Sequence, residues 1–214
     1  MSFLSGYAAD FTSGVVITLG LTVLGWTGAL VLGTMLTAMR VSPIRTLTVA
    51  ATAYVTVFRN IPLPVQMVLF VFGLPLLGIQ YSLFASAAIV LVLYTAPFVS
   101  ETLRSGLNTV ASGELEALRA LGFGPRPAML HLILPQAFGT VVQPLGNVLI
   151  TMIKNTSVAA LVGVADLTFA TNKAAVDQAQ PFLIFSGAAV SYLLIGLIVG
   201  RLVALIDRKA AFSR

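Results

Sequence analysis

Apolar residues gather in long runs separated by short polar stretches, and the runs are sized for a bilayer. The first, Phe11 to Met39, contains no charged side chain, and about 20 apolar residues suffice for a helix to cross the hydrocarbon core. Gly25, Ala29 and Gly33 recur every four residues along it. That spacing lets another helix approach closely, although glycine is also simply common in membrane helices. The second run, Leu47 to Phe72, is interrupted by Arg59-Asn60 and by Pro62 and Pro64. Proline removes a backbone donor and crowds the preceding turn, so this span is expected to break near its middle. Gly73 to Tyr81 reads as an uncharged connector, and Ser82 to Leu103 as a third span with Glu101 and Arg104 at its end. Gln136 to Asn155 is a short fourth span, unusually polar, holding Gln143, Pro144, Asn147, Thr151 and Lys154. Thr156 to Gln180 reads as a mixed loop, and Pro181 to Leu205 as a fifth span without charge before Arg201. The pattern predicts an all-α integral membrane protein, a single domain with spans near 11–39, 47–72, 82–103, 136–155 and 181–205.

Charge orients these spans. Arg40, Arg45, Arg104, Arg119, Arg126, Arg201, Arg208, Lys209 and Arg214 fall on one side, and Lys173 alone on the other. Basic residues concentrate on the cytoplasmic side, which places the N-terminus outside and the C-terminus inside. Composition agrees: 58% of residues are hydrophobic and 9% charged, with a mean hydropathy of +1.00, where a soluble domain carries about 25% charged residues. The net charge of +5 therefore marks cytoplasmic loops rather than a nucleic-acid surface. Cysteine is absent and His131 is the single histidine, so no disulfide, thiolate or histidine-cluster metal site is expected. No basic stretch precedes the first apolar run, so that run is expected to stay in the protein rather than act as a cleaved signal.

Between the third and fourth spans lies a polar island, roughly Ser105 to His131. Ser112 is an N-cap candidate, Glu114 and Glu116 are acids in a first turn, Arg119 is a base near the end, and Gly122 closes the segment. Together they describe one short helix. Leu115, Leu118 and Leu121 give it an apolar stripe. Alone, such a helix could equally lie on the lipid surface. Fixed spacing favours another reading. Glu116-Ala117-Leu118, three residues, Gly122, nine residues and Leu132-Ile133-Leu134-Pro135 resemble the cytoplasmic signature of permease subunits of bacterial ATP-binding-cassette importers, EAA, three residues, G, nine residues, I-x-L-P. The two departures, Leu118 and Leu132, replace apolar residues with apolar residues.

Further segments resemble the polar-amino-acid branch of that family: Phe58-Arg59-Asn60-Ile61-Pro62-Leu63, Tyr94 through Glu101, Arg104 and Gly106, and Lys154-Asn155-Thr156-Ser157. The overall look is most similar to glutamate-type uptake permeases of actinobacteria. The resemblance implies a type I importer permease fold in a bacterial cell membrane. It implies a second, like or identical permease, two cytoplasmic ATPases and an extracytoplasmic binding protein as partners. Glu116, Ala117, Arg119 and Gly122 would belong to the helix that couples to the ATPase. ATP and Mg would be bound by the partner, with no cofactor in this chain. The chain's own residues are consistent with that division: it contains no Gly-Lys pair and so no phosphate-cradling P-loop.

Ionisable groups within spans are rare and usually functional, which makes Arg59 and Lys154 candidates for the substrate path, with Asn147 and Gln143 beside them. Each has a plainer role as well. Gln143 and Asn147 could bond another helix, Lys154 could snorkel to the outer surface, and Arg59 could hold the carbonyls released at Pro62 and Pro64. Pro144 should free the Thr140 carbonyl and bend the fourth span. Glu101 and Arg104, three apart, are expected to pair with each other. Two cations without a carboxylate near the membrane centre suit an acidic or zwitterionic amino acid. An ion-coupled secondary transporter is the alternative, but it would ordinarily show an intramembrane acid and repeated halves.

Overall fold

A computed structural model of the chain describes residues 2–211; at residues 2–6, 112, 115, 125, 131, 210 and 211 only the backbone path is described. Among the described residues the secondary structure is helical. Helix α1 spans Ser2–Arg40, α2 Arg45–Asn60, α3 Leu63–Val68, α4 Leu83–Leu107, α5 Ser112–Ala120, α6 Pro125–Ala128, α7 Leu134–Asn155, α8 Leu167–Gln178 and α9 Pro181–Ala211.

The centre is the pair α1 and α4. Gly33 lies so close to α4 that an added Cβ would sit 2.6 Å from Val99 Cγ1 and 2.9 Å from the Ala96 carbonyl oxygen. Ala29, one turn away, is fully buried. Gly25 meets Leu91 of α4 and the Met152 side chain of α7, whose Cε would lie 2.6 Å from an added Cβ. The small-residue stripe is therefore a contact seam rather than compositional enrichment. Leu21 of α1 and Val90 and Leu91 of α4 are fully buried against Leu63 and Met67 of α3.

The second apolar run does break, sharply. Helix α2 and the segment from Leu63 to Leu77 meet at 103°, with Ile61 and Pro62 extended between them. The carbonyls left at this corner are held by Gln66, which is buried and donates through Nε2 to Phe58 O at 2.9 Å and Ile61 O at 3.0 Å. Holding these carbonyls was one of the two readings for Arg59; Gln66 satisfies them instead, and Arg59 reaches Glu101 and Phe98. Among the described residues four helices are long and apolar enough to cross a membrane, and the bent pair adds a fifth if it counts as one span.

One other expectation changes. The stretch Thr156 to Gln180 is no loop: Thr156–Val162 forms a 3-10 helix and α8 follows. Asp166 starts α8 by accepting from Phe169 N at 2.9 Å. The helix ends at Ala179, φ +51, without the glycine that usually marks such an end, so its boundary carried no loud signal. Pro144 lies inside α7, which runs without interruption from Leu134 to Asn155. Burial then divides the long helices. Helix α4 buries 56% of its apolar window within the chain and α9 only 11%, so α4 is interior and α9 offers its face to whatever surrounds the protein.

Candidate functional site

The polar island folds into a hairpin of α5 and α6. Ala111, extended, precedes α5, so the helix starts at Ser112 rather than after it. At the other end Phe123 N donates to Leu118 O at 3.0 Å and Gly122 N to Arg119 O at 3.0 Å. This double closure requires a left-handed residue, and Gly122 supplies it at φ +81. The signature glycine thus has a physical reason: a Cβ is strained in that backbone conformation. Glu116, Ala117 and Arg119 are exposed, and among the described residues no ion pair engages Glu116 or Arg119. Leu118 is half-buried and Leu121 is 74% exposed, while the Leu115 side chain lies outside the described residues. Glu114 is tied back, accepting from Gln136 Nε2 at 2.8 Å. The hairpin is therefore hydrogen-bonded to the first turn of α7, whose second residue is Pro135.

Helix α7 carries a polar stripe. Gln136, Thr140, Gln143, Asn147, Thr151 and Lys154 follow at intervals of three and four, which places them on one face. Gln143, Asn147, Thr151 and Lys154 are exposed. Among the described residues no hydrogen bond joins the Gln143 side chain to another helix. Asn147 and Thr151, with Tyr94, Thr95 and Phe98 of α4, line a cavity of about 250 Å³. Lys154, at the far end, borders a groove along α9 with Ile150 and Tyr192.

Arg59 faces the same region from α2. Its guanidinium stacks on the Phe98 ring, 5.4 Å from the centroid, so Phe98 joins the surroundings of Arg59 and Asn147. Glu101 and Arg104 do pair, at 3.2 Å, but they are not alone. Arg40 reaches Glu101 Oε1 at 2.9 Å and Arg59 reaches the same oxygen at 3.5 Å. A cavity of about 450 Å³ opens beside this cluster, lined by Arg59, Glu101, Arg104, Asn108, Thr109, Thr140 and Pro144. The structure thus brings Arg59 to the α7 stripe near Thr140 and leaves Lys154 distant from it. Arg40 was counted in the sequence only for orientation, not as a partner of Glu101, and Gln66 was not singled out. Only their position, just past an apolar run and just past Pro64, hinted at them.

Among the described residues no group of histidines and acids could hold a metal. The geometry is that of a membrane component with one polar helix face and one exposed hairpin attached to it. Residues 29–212 match the family described as the binding-protein-dependent transport system inner membrane component, and the chain belongs to that family. It is a permease subunit of an ATP-binding-cassette transporter and not an enzyme, ATP hydrolysis residing in separate partner chains. It is 36% identical, over 92% of each chain, to the glutamate transport system permease protein GluC of Corynebacterium efficiens. It is 35% identical, over 86% of each, to the probable glutamine ABC transporter permease protein GlnM of Bacillus subtilis. The crystal structure of an amino acid ABC transporter with histidines contains a chain of the same fold, with a TM-score of 0.90 and 31% identity over 98% of this chain and 99% of that one.

Proposed function

We propose that this chain lines the translocation path of an amino-acid importer, carrying a polar amino acid, glutamate or a close relative. In this reading it crosses the membrane five times, the α2–α3 corner counting as one span, with its N-terminus outside and its C-terminus in the cytoplasm. A second permease, identical or homologous, covers the exposed α7 stripe, so that Gln143, Asn147 and Lys154 face a shared path together with Arg59. Glu116, Ala117, Arg119 and Gly122 form the surface that meets a cytoplasmic ATPase, which binds the ATP and Mg; an extracytoplasmic binding protein delivers the solute. No cofactor is assigned to this chain. Support comes from the glutamate and glutamine permeases it is similar to and from one observation above all. The helix that carries the polar face is the helix to which the exposed hairpin is bonded, through Glu114 and Gln136. Motion applied to α5 is thereby delivered to the path-lining helix.

Reconstitution of the chain with its ATPase and binding protein tests this. Labelled glutamate should accumulate only with ATP, and unlabelled glutamate or aspartate should compete. Competition by arginine or lysine instead would rule out the acidic substrate. Glu116→Lys should leave the assembly in the membrane while separating ATP hydrolysis from uptake; normal uptake in that variant would remove the coupling role.

A further inference from the structure

Helices α1 and α9 each pack against α8 and are held apart by it. The gap between them is a crevice of about 530 Å³, walled by Tyr7, Phe11, Ala174, Ile184, Gly187 and Val190. The membrane-length apolar portions of α1 and α9 begin at Tyr7 and Pro181. The crevice therefore opens sideways at the level where hydrocarbon meets headgroups. Its wall has no unmet hydrogen bond to offer. Ser186, the hydroxyl on the α9 side, donates to Phe182 O of its own helix at 2.7 Å. Water finds no partner in such a space, and hydrocarbon is the filling the wall favours.

The rim is different. Asp177 and Gln178 follow Ala174 by three and four residues, which puts them on its face of α8, one turn nearer the helix end. Tyr7 joins wall to rim: its hydroxyl accepts from Gln178 Nε2 at 2.9 Å and donates to Asp177 at 3.4 Å. Lys173 is already paired with Asp10 at 2.9 Å. Among the described residues no ion pair engages Asp177, which is exposed. Helix α8 also ends here, at Gln178, and its last carbonyls are the negative end of its dipole. Carboxylate and helix end both favour a cation that donates hydrogen bonds.

We infer that this crevice is a lipid site: it takes one acyl chain of a zwitterionic phospholipid bearing a primary ammonium, phosphatidylethanolamine, whose ammonium meets Asp177 and the end of α8. The chain supplies attachment and the headgroup supplies selectivity. Phosphatidylcholine has the same net charge but no N–H to donate. Phosphatidylglycerol brings a net negative charge to an acid. The inference needs only α1 and α9 in the bilayer and is independent of the solute carried.

The experiment strips the assembled permease–ATPase complex of lipid in detergent and titrates it with phosphatidylethanolamine, phosphatidylcholine or phosphatidylglycerol of identical chains. Native mass spectrometry counts the adducts. The expected result is one phosphatidylethanolamine per permease chain, held about tenfold tighter than either other lipid. Asp177→Asn should remove most of that preference. Gly187→Leu tests the crevice itself. An added Cβ at Gly187 meets nothing within 4 Å, so leucine fills the space without disturbing the fold. The phosphatidylethanolamine adduct should then disappear, while the unfolding midpoint in lipid-free detergent is no lower than wild type. Equal affinity for the three lipids, a preference for phosphatidylglycerol, or an adduct unmoved within twofold by Gly187→Leu each overturns the site. So does a Gly187→Leu complex that loses its second permease, which would make the crevice a contact between protein chains.

Discussion

The two ends of the bundle handle buried charge in opposite ways. Where α7 passes into α8, Asp166 is fully buried and satisfied by neutral donors, Phe169 N at 2.9 Å and the Tyr192 hydroxyl at 3.3 Å. Thr168 shares that hydroxyl at 2.9 Å, and Leu167 N donates to Thr18 Oγ1 at 3.2 Å. Nearby, Lys173 pairs with Asp10 at 2.9 Å and Tyr7 donates to Asp177 at 3.4 Å. The interior of that end is closed upon itself. At the other end Glu101 is outnumbered by arginines, and the α5 hairpin exposes Glu116 and Arg119. A polar network complete within the chain stabilises a fold, whereas a surplus needs something outside the chain.

The largest stability effect is expected at the closed end. Asp166→Ala removes the α8 cap and leaves the Tyr192 hydroxyl with one partner fewer, a loss of about 2–3 kcal/mol. The unfolding midpoint of the purified complex should fall by about 5–10 °C. Asp166→Asn keeps an acceptor for Phe169 N and should lose far less. Its pH profile sharpens the contrast. Burial pushes the Asp166 carboxyl up from 3.8 to about 6, against hydrogen bonds from the Phe169 and Thr168 backbone and from Tyr192 that pull it down. The folded protein then holds a proton that the unfolded chain releases. This contribution to stability is present below about pH 4, is lost as pH rises to about 6, and is constant beyond. Thermal unfolding from pH 4 to 7 should show this slope in wild type and lose it in Asp166→Asn; an equal slope in both assigns it to another group.

At the open end, Glu101→Ala leaves three guanidiniums facing one another. Because Glu101 is partly exposed, the cost is expected at about 2 kcal/mol, below that of a fully buried pair. Unlike Asp166→Ala, it should be partly relieved by added salt or by an anion. Equal salt response in the two variants would erase the distinction between the ends.

The same contrast governs how much could be read in advance. The long spans and the Pro62–Pro64 break were legible because apolar length and proline act locally. So was the exposed face of α7, since residues at intervals of three and four share a face whatever surrounds the helix. The Gly25–Ala29–Gly33 stripe was ambiguous until α4 supplied the partner surface. Helix α8 was missed because Leu167–Gln178 has neither strong amphipathy nor a terminal glycine, and its stability comes from the Asp166 cap and burial. The Glu101 cluster joins residues from three helices, and sequence spacing revealed only its local pair, Glu101 and Arg104. Gln66 was hidden for a related reason: its value lies in filling carbonyls that proline geometry vacates.

The smallest expected change in stability, with a distinct functional reading, is at Gly122. Alanine there must adopt φ near +81, at about 1 kcal/mol, or the α5 closure must open. An added Cβ at Gly122 meets nothing within 4 Å, so the penalty is conformational and not steric crowding. Glu116, Ala117, Arg119 and Leu121 are exposed and α5 is tied to α7 through Glu114 and Gln136, so the unfolding midpoint of Gly122→Ala should stay within a degree or two of wild type. Uptake per ATP hydrolysed should nevertheless fall severalfold, because Leu118 and Arg119 would lose the carbonyl closures that fix the hairpin's exit. Gly122→Asn, which tolerates the left-handed region better than alanine, should recover part of the loss. If alanine and asparagine behave alike, with coupling intact, the left-handed turn has no mechanical role and the open end transmits motion through α6 instead.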